Sequence, residues 1–353
     1  MSLFLGIKEG HSIVSPFLNN CCGQTSQGLI FGGAWSILGR RGLFREDVLL
    51  QNGRRRTSRR DFLKIAAFSG LSLTGRPTLG PQFLGENDDL FLGHIGVCTS
   101  LANNDILAAN GCAYIEEGVR GFLVPEEAEE KFLAKLSELE ASKLPVRVCN
   151  GFLPGQLKAV GPEPKNEGIL AYAETAFRRA ARAGVEMIVW GSGESRKIPD
   201  GFSRAKAEEQ FADLAKKVAA LAARFGVILT LEPLNSGETN FINNLKEGAA
   251  MVEAVRHPNF KLLADIYHLL REGEMPDAIE AFGRDIRHCH IAEKDKRTRP
   301  GAAGDDFRPF FRALKKVRYQ GRLSMECRWE NMRAELPAAV AFLKKQISEI
   351  SAS

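Results

Sequence analysis

From residue 91 onward, short apolar runs alternate along the chain with longer segments whose apolar positions recur at helical spacing. Runs rich in β-branched residues are typical of parallel strands that are covered on both faces. The predicted strands span residues 93–98, 112–116, 146–150, 185–190, 227–232, 260–265, 286–290 and 322–326. Strands that alternate with helices over residues 91–349 predict an α/β fold, the (β/α)8 TIM barrel, which typically needs about 250 residues.

The segments between these strands predict helices at 125–140, 169–183, 211–225, 245–256 and 338–347. Pro125 is expected to occupy the first turn of its helix, and Gly184 and Gly226 are expected to end theirs. An open doubly wound sheet is the alternative architecture. It is less favoured because no Gly-x-Gly-x-x-Gly sequence follows the first strand.

The composition is that of an ordinary soluble globular protein. The 353-residue chain is 44% hydrophobic and 26% charged. Much of its net charge of +5 comes from arginines before residue 61, and the remainder is close to electrical balance, so the charge gives no indication of nucleic-acid binding. The seven cysteines form no Cys-x-x-Cys pair and no zinc-binding spacing, and most are expected to be small hydrophobic residues.

A basic segment near the front of the chain precedes a short apolar one. Residues 58–64 read SRRDFLK and are followed by the apolar run 65–73, which is too short to span a bilayer. Every motif position resembles the bacterial twin-arginine export signal; the alternative is a basic turn that leads into an ordinary helix. The resemblance implies the twin-arginine export machinery as a partner and a periplasmic or exported protein, or a cytoplasmic one if the signal is not used. Residues 54–80 are interpreted as the signal segment, and residues 1–53 as a disordered or spurious extension.

The last four predicted strands each end on a side chain suited to metal ligation: Glu232, Asp265, His290 and Glu326. Consecutive members are roughly one strand–helix unit apart, so in a barrel all four would converge at the carboxyl ends of the strands. Three carboxylates and one imidazole suit a hard divalent ion; Mn²⁺ is the expected ion, and Mg²⁺ and Co²⁺ are alternatives. Each residue alone would be an ordinary polar strand end, but four in register favour a metal site.

Four sequence motifs carry a resemblance to a known family: LEPLN at 231–235, ADIYH at 264–268, HCHIAE at 288–293 and SME at 324–326. In this order they resemble the xylose isomerase-like barrel superfamily, and within it the sugar phosphate isomerase/epimerase branch that includes ketose 3-epimerases and hydroxypyruvate isomerases. The resemblance implies that Glu232, Asp265, His290 and Glu326 are the metal ligands. It also implies that Glu232 and Glu326 are an acid/base pair on opposite faces of a sugar substrate.

Weaker matches extend this candidate site. Glu238 and His268 correspond to substrate-contacting positions of 3-epimerases, or else are a solvated loop carboxylate and a histidine behind the metal ligands. Loop 293–301 resembles the family's substrate-arginine loop but is one residue longer, which leaves Arg297 and Arg299 as competing candidates. His288 shares a strand face with His290, and it is expected to lie below the metal. Three further carboxylates near strand ends receive no role: Glu116, Glu117 and Glu194.

The expected function is a divalent-metal-dependent isomerase or epimerase of sugars. A metal that chelates a sugar carbonyl and the adjacent hydroxyl acidifies the C–H bond between them and stabilises the enediolate, while one carboxylate removes the proton and the other returns it. The alternative is an exported lyase or hydrolase that acts on 3-keto-glycosides with the same metal site.

Two other functions are less favoured. An abasic-site endonuclease, which the superfamily also contains, needs a richer metal-ligand set than this chain offers with six histidines and a near-neutral body. A sugar-binding barrel with a vestigial site would leave the intact ligand set unexplained. Assembly into a homo-oligomer is compatible with each of these functions.

Overall fold

A computed structural model describes residues 95–351 of the chain. Within them, eight strands, each parallel to the next, close into one barrel. The strands are β1 Ile95–Cys98, β2 Tyr114–Gly118, β3 Val146–Asn150, β4 Met187–Trp190, β5 Ile228–Leu231, β6 Phe260–Asp265, β7 Ile286–Ile291 and β8 Arg322–Met325. Closure is made by the pairing of β8 with β1, in which Ser324 lies opposite Gly96. The predicted (β/α)8 TIM barrel is confirmed.

Helices connect the strands. They are α1 Asn104–Ala109, α2 Glu129–Glu140, α3 Asn166–Ala183, α4 Gly193–Arg196, α5 Arg204–Arg224, α6 Leu245–Val255, α7 Ile266–Glu272, α8 Pro276–Phe282, α9 Arg308–Lys316 and α10 Met332–Ser351. Five of them overlap a predicted helix. The shorter helices were missed because a segment of one or two turns has too few residues to display a helical period.

Side-chain caps and glycines set where several helices begin and end. The Ser203 side chain accepts a hydrogen bond from the backbone N–H of Lys206 at the start of α5. Gly184 and Gly226 have φ angles of 72° and 70° just beyond the ends of α3 and α5, as the sequence predicted. These left-handed residues turn the chain back toward the barrel, where the next strand begins.

Apolar side chains fill two layers of the barrel. The inner layer lies within the ring of strands and consists of Tyr114, Val148, Met187, Val189 and Leu263. The outer, larger layer packs the sheet against the helices and includes an aromatic group around Trp190. Because the interior is packed, polar side chains that face inward can reach solvent only at the ends of the strands.

The helix predicted to begin at Pro125 begins instead at Glu129, so this prediction was wrong. Val124, directly before the proline, has a φ angle of 42° and ends a π-helical turn. The buried guanidinium of Arg179 donates hydrogen bonds to the carbonyl oxygens of Val124 and Glu127. These carbonyls are held in a turn by the buried cation, and this tertiary contact outweighs the local helix signal.

The export-signal segment 54–80 and the extension 1–53 lie outside the described residues. Across residues 95–351, no helix combines the length and the apolar character that crossing a bilayer requires.

Candidate active site and metal centre

Four side chains at the carboxyl ends of β5 to β8 meet at one point. Glu232 follows β5 directly, Asp265 is the last residue of β6, His290 is the penultimate residue of β7, and Glu326 follows β8 directly. One potential ligand atom from each residue lies within 4.8 Å of those of the other three. The structure therefore brings together the four residues that the sequence singled out, and their role as metal ligands stays a prediction.

His290 lies at the centre of this group. Its Nδ1 atom is 3.1 Å from Oε1 of Glu232 and 2.9 Å from Oε2 of Glu326. The imidazole is fully buried, and Glu232 is almost so. Two carboxylates that face one nitrogen in a buried site need a cation or a proton between them, because unpaired buried charge is costly.

Asp265 uses its two carboxylate oxygens for different purposes. Its Oδ1 atom accepts a hydrogen bond of 2.8 Å from the backbone N–H of Tyr267 and so caps α7. Its Oδ2 atom faces the site, 3.2 Å from Nη2 of Arg297 and 3.4 Å from Nε2 of His268. The helix cap fixes the carboxylate, and this leaves Oδ2 as the oxygen available to a ligand.

Burial and neighbouring charges raise the pKa of two carboxyl groups of the site and lower that of the third. Burial, reinforced by the charge of Glu326, raises the pKa of Glu232. Burial also raises the pKa of Asp265 to about 6, although Arg297 opposes it. For Glu326, burial is outweighed by His290 and Arg297, and the pKa is lowered to about 2. Two nearby carboxyl groups with opposite shifts are typical of a proton donor and acceptor pair.

The chemistry of this donor set fits a hard divalent cation. Three carboxylates and one imidazole are oxygen-rich and buried. Burial would lower the pKa of His290, but the charges of Glu116 and Glu326 raise it well above its ordinary value. The negative field that retains a proton on a buried histidine also attracts a metal ion.

Loop 293–301 brings one of its two candidate arginines to this group. Nη2 of Arg297 contacts Oε2 of Glu326 and lies 3.2 Å from Oδ2 of Asp265. The side chain of Arg299 instead faces Glu335 of α10, at 3.7 Å. The structure therefore separates the two candidates that the sequence left open.

The other two predicted substrate-binding positions lie beside Arg297. Oε1 of Glu238 is 3.6 Å from Nη1 of Arg297 and accepts a hydrogen bond of 3.0 Å from the side chain of Asn235. Nδ1 of His268 accepts a hydrogen bond of 3.2 Å from the backbone N–H of Asn235, and burial lowers the pKa of this imidazole. All the predicted site residues except Arg299 thus form one connected group.

A buried carboxylate to which the sequence gave no role lies behind His290. Glu116 of β2 faces Nε2 of His290 at 2.9 Å and Nε2 of His288 at 2.8 Å. His288, which was expected to lie below the metal, is fully buried there. The signal that identifies Glu116 is strand alternation, since it shares the inward face of β2 with the core residue Tyr114.

The other carboxylates near strand ends have local partners. Glu117 accepts hydrogen bonds from the backbone N–H groups of Leu101 and Gly118. Glu194 is largely exposed and pairs with Lys158 and Lys197 at the surface. These contacts are structural, and they give neither residue a part in the site.

Two further polar side chains, which sequence reasoning missed, contact Glu232 and Glu326, one at the backbone and one at the carboxylate. The guanidinium of Arg196 is fully buried and donates from Nη2 to the backbone carbonyl of Glu232 at 2.8 Å. Asn150, the last residue of β3, donates from its side-chain amide to Oε1 of Glu326 at 3.2 Å. The first bond fixes the backbone at Glu232, and the second restricts where the Glu326 carboxylate can move.

Comparison with known proteins places this geometry among related barrels. The model of a family described as xylose isomerase-like TIM barrel matches residues 105–346. L-ribulose 3-epimerase from Methylomonas sp. strain DH-1 is 34% identical over 131 residues, which are 37% of this chain and 45% of that protein. 3-Dehydro-D-guloside 4-epimerase from Escherichia coli K12 is 29% identical over 238 residues, which are 64% of this chain and 87% of that protein. The match thus spans less than half of the first relative and most of the second.

The fold also has solved counterparts. The crystal structure of a 3-keto-D-glucoside 4-epimerase from E. coli superposes with a TM-score of 0.61 at 22% identity, covering 71% of this chain and 99% of that one. A likeness at this level of identity establishes the shared fold alone.

Proposed function

Since the chain belongs to the xylose isomerase-like TIM barrel family, we propose that it is a divalent-metal-dependent isomerase or epimerase of sugars. The observation that carries the proposal is the approach of Glu232 and Glu326 to the same nitrogen of His290, at 3.1 Å and 2.9 Å, from strands on either side of it. A reaction that removes a proton and then returns it needs a base and an acid, and two carboxyl groups at one buried point can supply both.

Glu232 and Glu326 divide the proton transfer between them. The carboxylate of one takes the proton from the carbon beside the sugar carbonyl, and the carboxyl group of the other delivers a proton to the opposite face of that carbon, which inverts its configuration. Delivery to the neighbouring carbon would give isomerisation instead. The raised pKa of Glu232 and the pKa of about 2 of Glu326 support a starting state in which Glu326 is the base and Glu232 the acid.

The four-residue group of Glu232, Asp265, His290 and Glu326 would hold the ion, for which we propose Mn²⁺ because the donor set is rich in oxygen. When bound, the ion supplies a Lewis acid that polarises the sugar carbonyl and acidifies the adjacent C–H bond. The protein keeps the carboxylates buried, which strengthens each electrostatic interaction in the site.

Arg297 and Glu238 are suited to orient the sugar hydroxyls. The guanidinium of Arg297 lies 4.7 Å from the ring centre of Tyr267 and 3.6 Å from Glu238. Stacking on the ring fixes the plane of the guanidinium, and its N–H donors complement carbonyl and hydroxyl oxygens. The Glu238 carboxylate accepts hydrogen bonds from hydroxyl groups.

We propose a ketose or a 3-keto-glycoside as the substrate. Support comes from the names of the two relatives, which act on L-ribulose and on a 3-dehydro-D-guloside, both of them ketones flanked by hydroxylated carbons. The guanidinium of Arg297 already faces three carboxylates, those of Glu238, Asp265 and Glu326, so the net negative charge around it favours an uncharged substrate over a phosphorylated one.

We also propose that the protein is exported by the twin-arginine machinery and acts outside the cytoplasm. The SRRDFLK motif at 58–64 and the apolar run behind it support this location. Cell fractionation and N-terminal sequencing of the natural protein test it. A mature protein that retains residues 1–53 in the cytoplasm would contradict this proposal.

A separate measurement, light scattering of the purified protein, would establish whether the protein forms a homo-oligomer.

Deuterium exchange tests the proposed reaction. The Mn²⁺-loaded protein is incubated in D₂O with D-fructose, D-allulose and a methyl 3-keto-glucoside, and the products are followed by NMR. We expect deuterium on the carbon beside the carbonyl, at a rate that falls by about 10²- to 10⁴-fold in Glu326→Gln. Cleavage of the glycosidic bond would favour a lyase instead. Absence of exchange with every sugar would overturn the proposal.

A further inference from the structure

We infer that Glu116 is a positioning residue, which orients the imidazole of His290 so that Nδ1 faces the four-residue group. The inference rests on the proposed metal site but concerns residues on the far side of the ring. Nε2 of His290 lies 2.9 Å from Oε1 of Glu116, while Nδ1 lies 2.9 Å from Oε2 of Glu326. The two nitrogens therefore have separate partners on opposite edges of one buried ring.

Three donors converge on the Glu116 carboxylate. Besides His290, Nε2 of His288 lies 2.8 Å from Oε2, and the hydroxyl of Ser324 donates to the same oxygen at 2.6 Å. Each of these four residues is at most 1% exposed. A carboxylate in so dry a place is stable only when its oxygens are hydrogen-bonded, and here both are.

The direction of each hydrogen bond follows from the number of protons available. A carboxylate can only accept, so the single hydroxyl proton of Ser324 points at Glu116. Tyr114 lies 2.8 Å from the Ser324 oxygen and must therefore be the donor in that pair. The hydrogen bonds thus run from the Tyr114 hydroxyl to Ser324 and from the Ser324 hydroxyl to Glu116. In this direction Glu116 is an acceptor throughout, and it can also accept a hydrogen bond from His290.

Small residues in β1 make this arrangement reachable. Tyr114 and Glu116 belong to β2, and Ser324 belongs to β8, with β1 between the two strands. A Cβ atom at Gly96 of β1 would lie 2.3 Å from the ring of Tyr114. Because Gly96 has no side chain, Tyr114 can cross over β1 and reach Ser324. Cys98, which lies opposite Glu116, is the next inward-facing residue of β1.

The consequence for the site is geometric. If the His290 ring rotated by half a turn, carbon atoms would replace both nitrogens, and Glu116 would lose the N–H donor that it now accepts. The bond to Glu116 thus excludes the rotated ring. The negative charge of Glu116 also makes the imidazole a stronger electron-pair donor at Nδ1.

Metal affinity in a nearly isosteric variant tests the inference. Glu116→Gln keeps the shape but removes the negative charge beside His290 and one acceptor oxygen, so the new NH2 group faces either the N–H of His290 or the donors of His288 and Ser324. We expect the dissociation constant for Mn²⁺, measured by calorimetry without substrate, to rise by about 10- to 100-fold. The matched control is Glu117→Gln, the adjacent carboxylate of the same strand, whose partners are backbone N–H groups. It should leave the Mn²⁺ affinity unchanged.

A spectroscopic measurement separates positioning from a general loss of packing. The visible absorption of the Co²⁺-loaded protein reports the ligand field, so it should change in Glu116→Gln and stay as in the wild type in Glu117→Gln. If Glu116→Gln does not fold, as judged by circular dichroism, Ser324→Ala removes one of the three donors and should weaken Mn²⁺ binding in the same direction by a smaller factor.

The outcomes distinguish this inference from the proposed function. A wild-type protein that binds no Mn²⁺ or Co²⁺ would overturn both. The role of Glu116 alone would be overturned if the wild type binds tightly and a folded Glu116→Gln variant keeps the same affinity and spectrum. If Glu116→Gln does not fold, unchanged affinity in Ser324→Ala would overturn it instead. Weakened binding only in the Glu116 and Ser324 variants supports it.

Discussion

Gly191 lies so close to Glu232 that a Cβ atom at position 191 would come within 2.3 Å of the Oε2 atom of that carboxylate. Gly191 follows β4 directly, and Glu232 follows β5, so neighbouring strands end on a residue without a side chain and on a buried acid. The absence of a methyl group at Gly191 is what gives the Glu232 carboxylate its place in the site.

Gly191→Ala should therefore lower the proposed activity without unfolding the protein. The atom that must move is the far end of a flexible side chain, so we expect the free energy of unfolding to change by less than about 1 kcal/mol. Displacement of Glu232, the proposed acid, should lower kcat by about 10²-fold. The control is Gly118→Ala, where an added Cβ meets nothing within 4 Å. Equal activity of the two variants would contradict the steric argument.

Substitution of the two arginines of loop 293–301 should have very different effects on kcat/KM. Arg297→Met removes a guanidinium that contacts Asp265 and Glu326, and we expect kcat/KM to fall by about 10²-fold or more. Arg299→Met removes a partly exposed pairing with Glu335 and should change kcat/KM by less than about threefold. Steady-state kinetics on the substrate found by deuterium exchange gives the comparison. A larger loss in the Arg299 variant would reverse the assignment.

Mn²⁺ affinity should weaken as the pH falls. Both His290 and Asp265 must release a proton before they can ligate, and their pKa values are raised, that of Asp265 to about 6. Below each pKa the proton competes with the ion, so affinity should drop by about tenfold per pH unit for each protonated ligand. Titrations between about pH 5 and about pH 8 measure this slope. Asp265→Asn, with one titrating group fewer, should show a shallower slope, and affinity independent of pH in the wild type would contradict the expectation.

Arg179→Met should destabilise the fold far from the site. The buried guanidinium donates to carbonyls of the turn before α2 and pairs with Glu129 at 3.1 Å, and its loss leaves those acceptors unsatisfied. We expect the free energy of unfolding to fall by about 2–4 kcal/mol, measured by urea denaturation. Arg178 pairs with the same glutamate from an exposed position, so Arg178→Met should cost less than about 1 kcal/mol. Similar losses in both variants would show that burial is not the cause.

The barrel and the convergence of four side chains could be predicted because both follow from period and spacing. Parallel strands separated by helices place their carboxyl ends on one rim, so Glu232, Asp265, His290 and Glu326 had to approach one another once the fold was identified. Substrate, metal and location rest on resemblance and stay proposals.

The parts that the sequence did not predict depend on contacts between distant strands or on loop conformation. Arg297 and Arg299 have the same chemistry, and the choice between them is made by a loop in which Lys296 and Arg297 adopt positive φ angles. Glu116 stands beside Glu117 in the sequence, and a register shift in the pairing of β2 with β3 falls next to it. Its partners are on β7 and β8, which no local pattern indicates.

The bridge from β2 over β1 to β8 also has a consequence for how the protein is made. Ser324 and Glu116 are 208 residues apart in the chain, so their hydrogen bond forms only after the ends of the barrel have met. Contacts of such long range come late, because the entropy of closing the intervening chain must be overcome first. While β8 is still inside the ribosome, neither Ser324 nor Glu326 is available to the part of the chain that has emerged. The nascent chain therefore cannot assemble this site around an ion that it encounters.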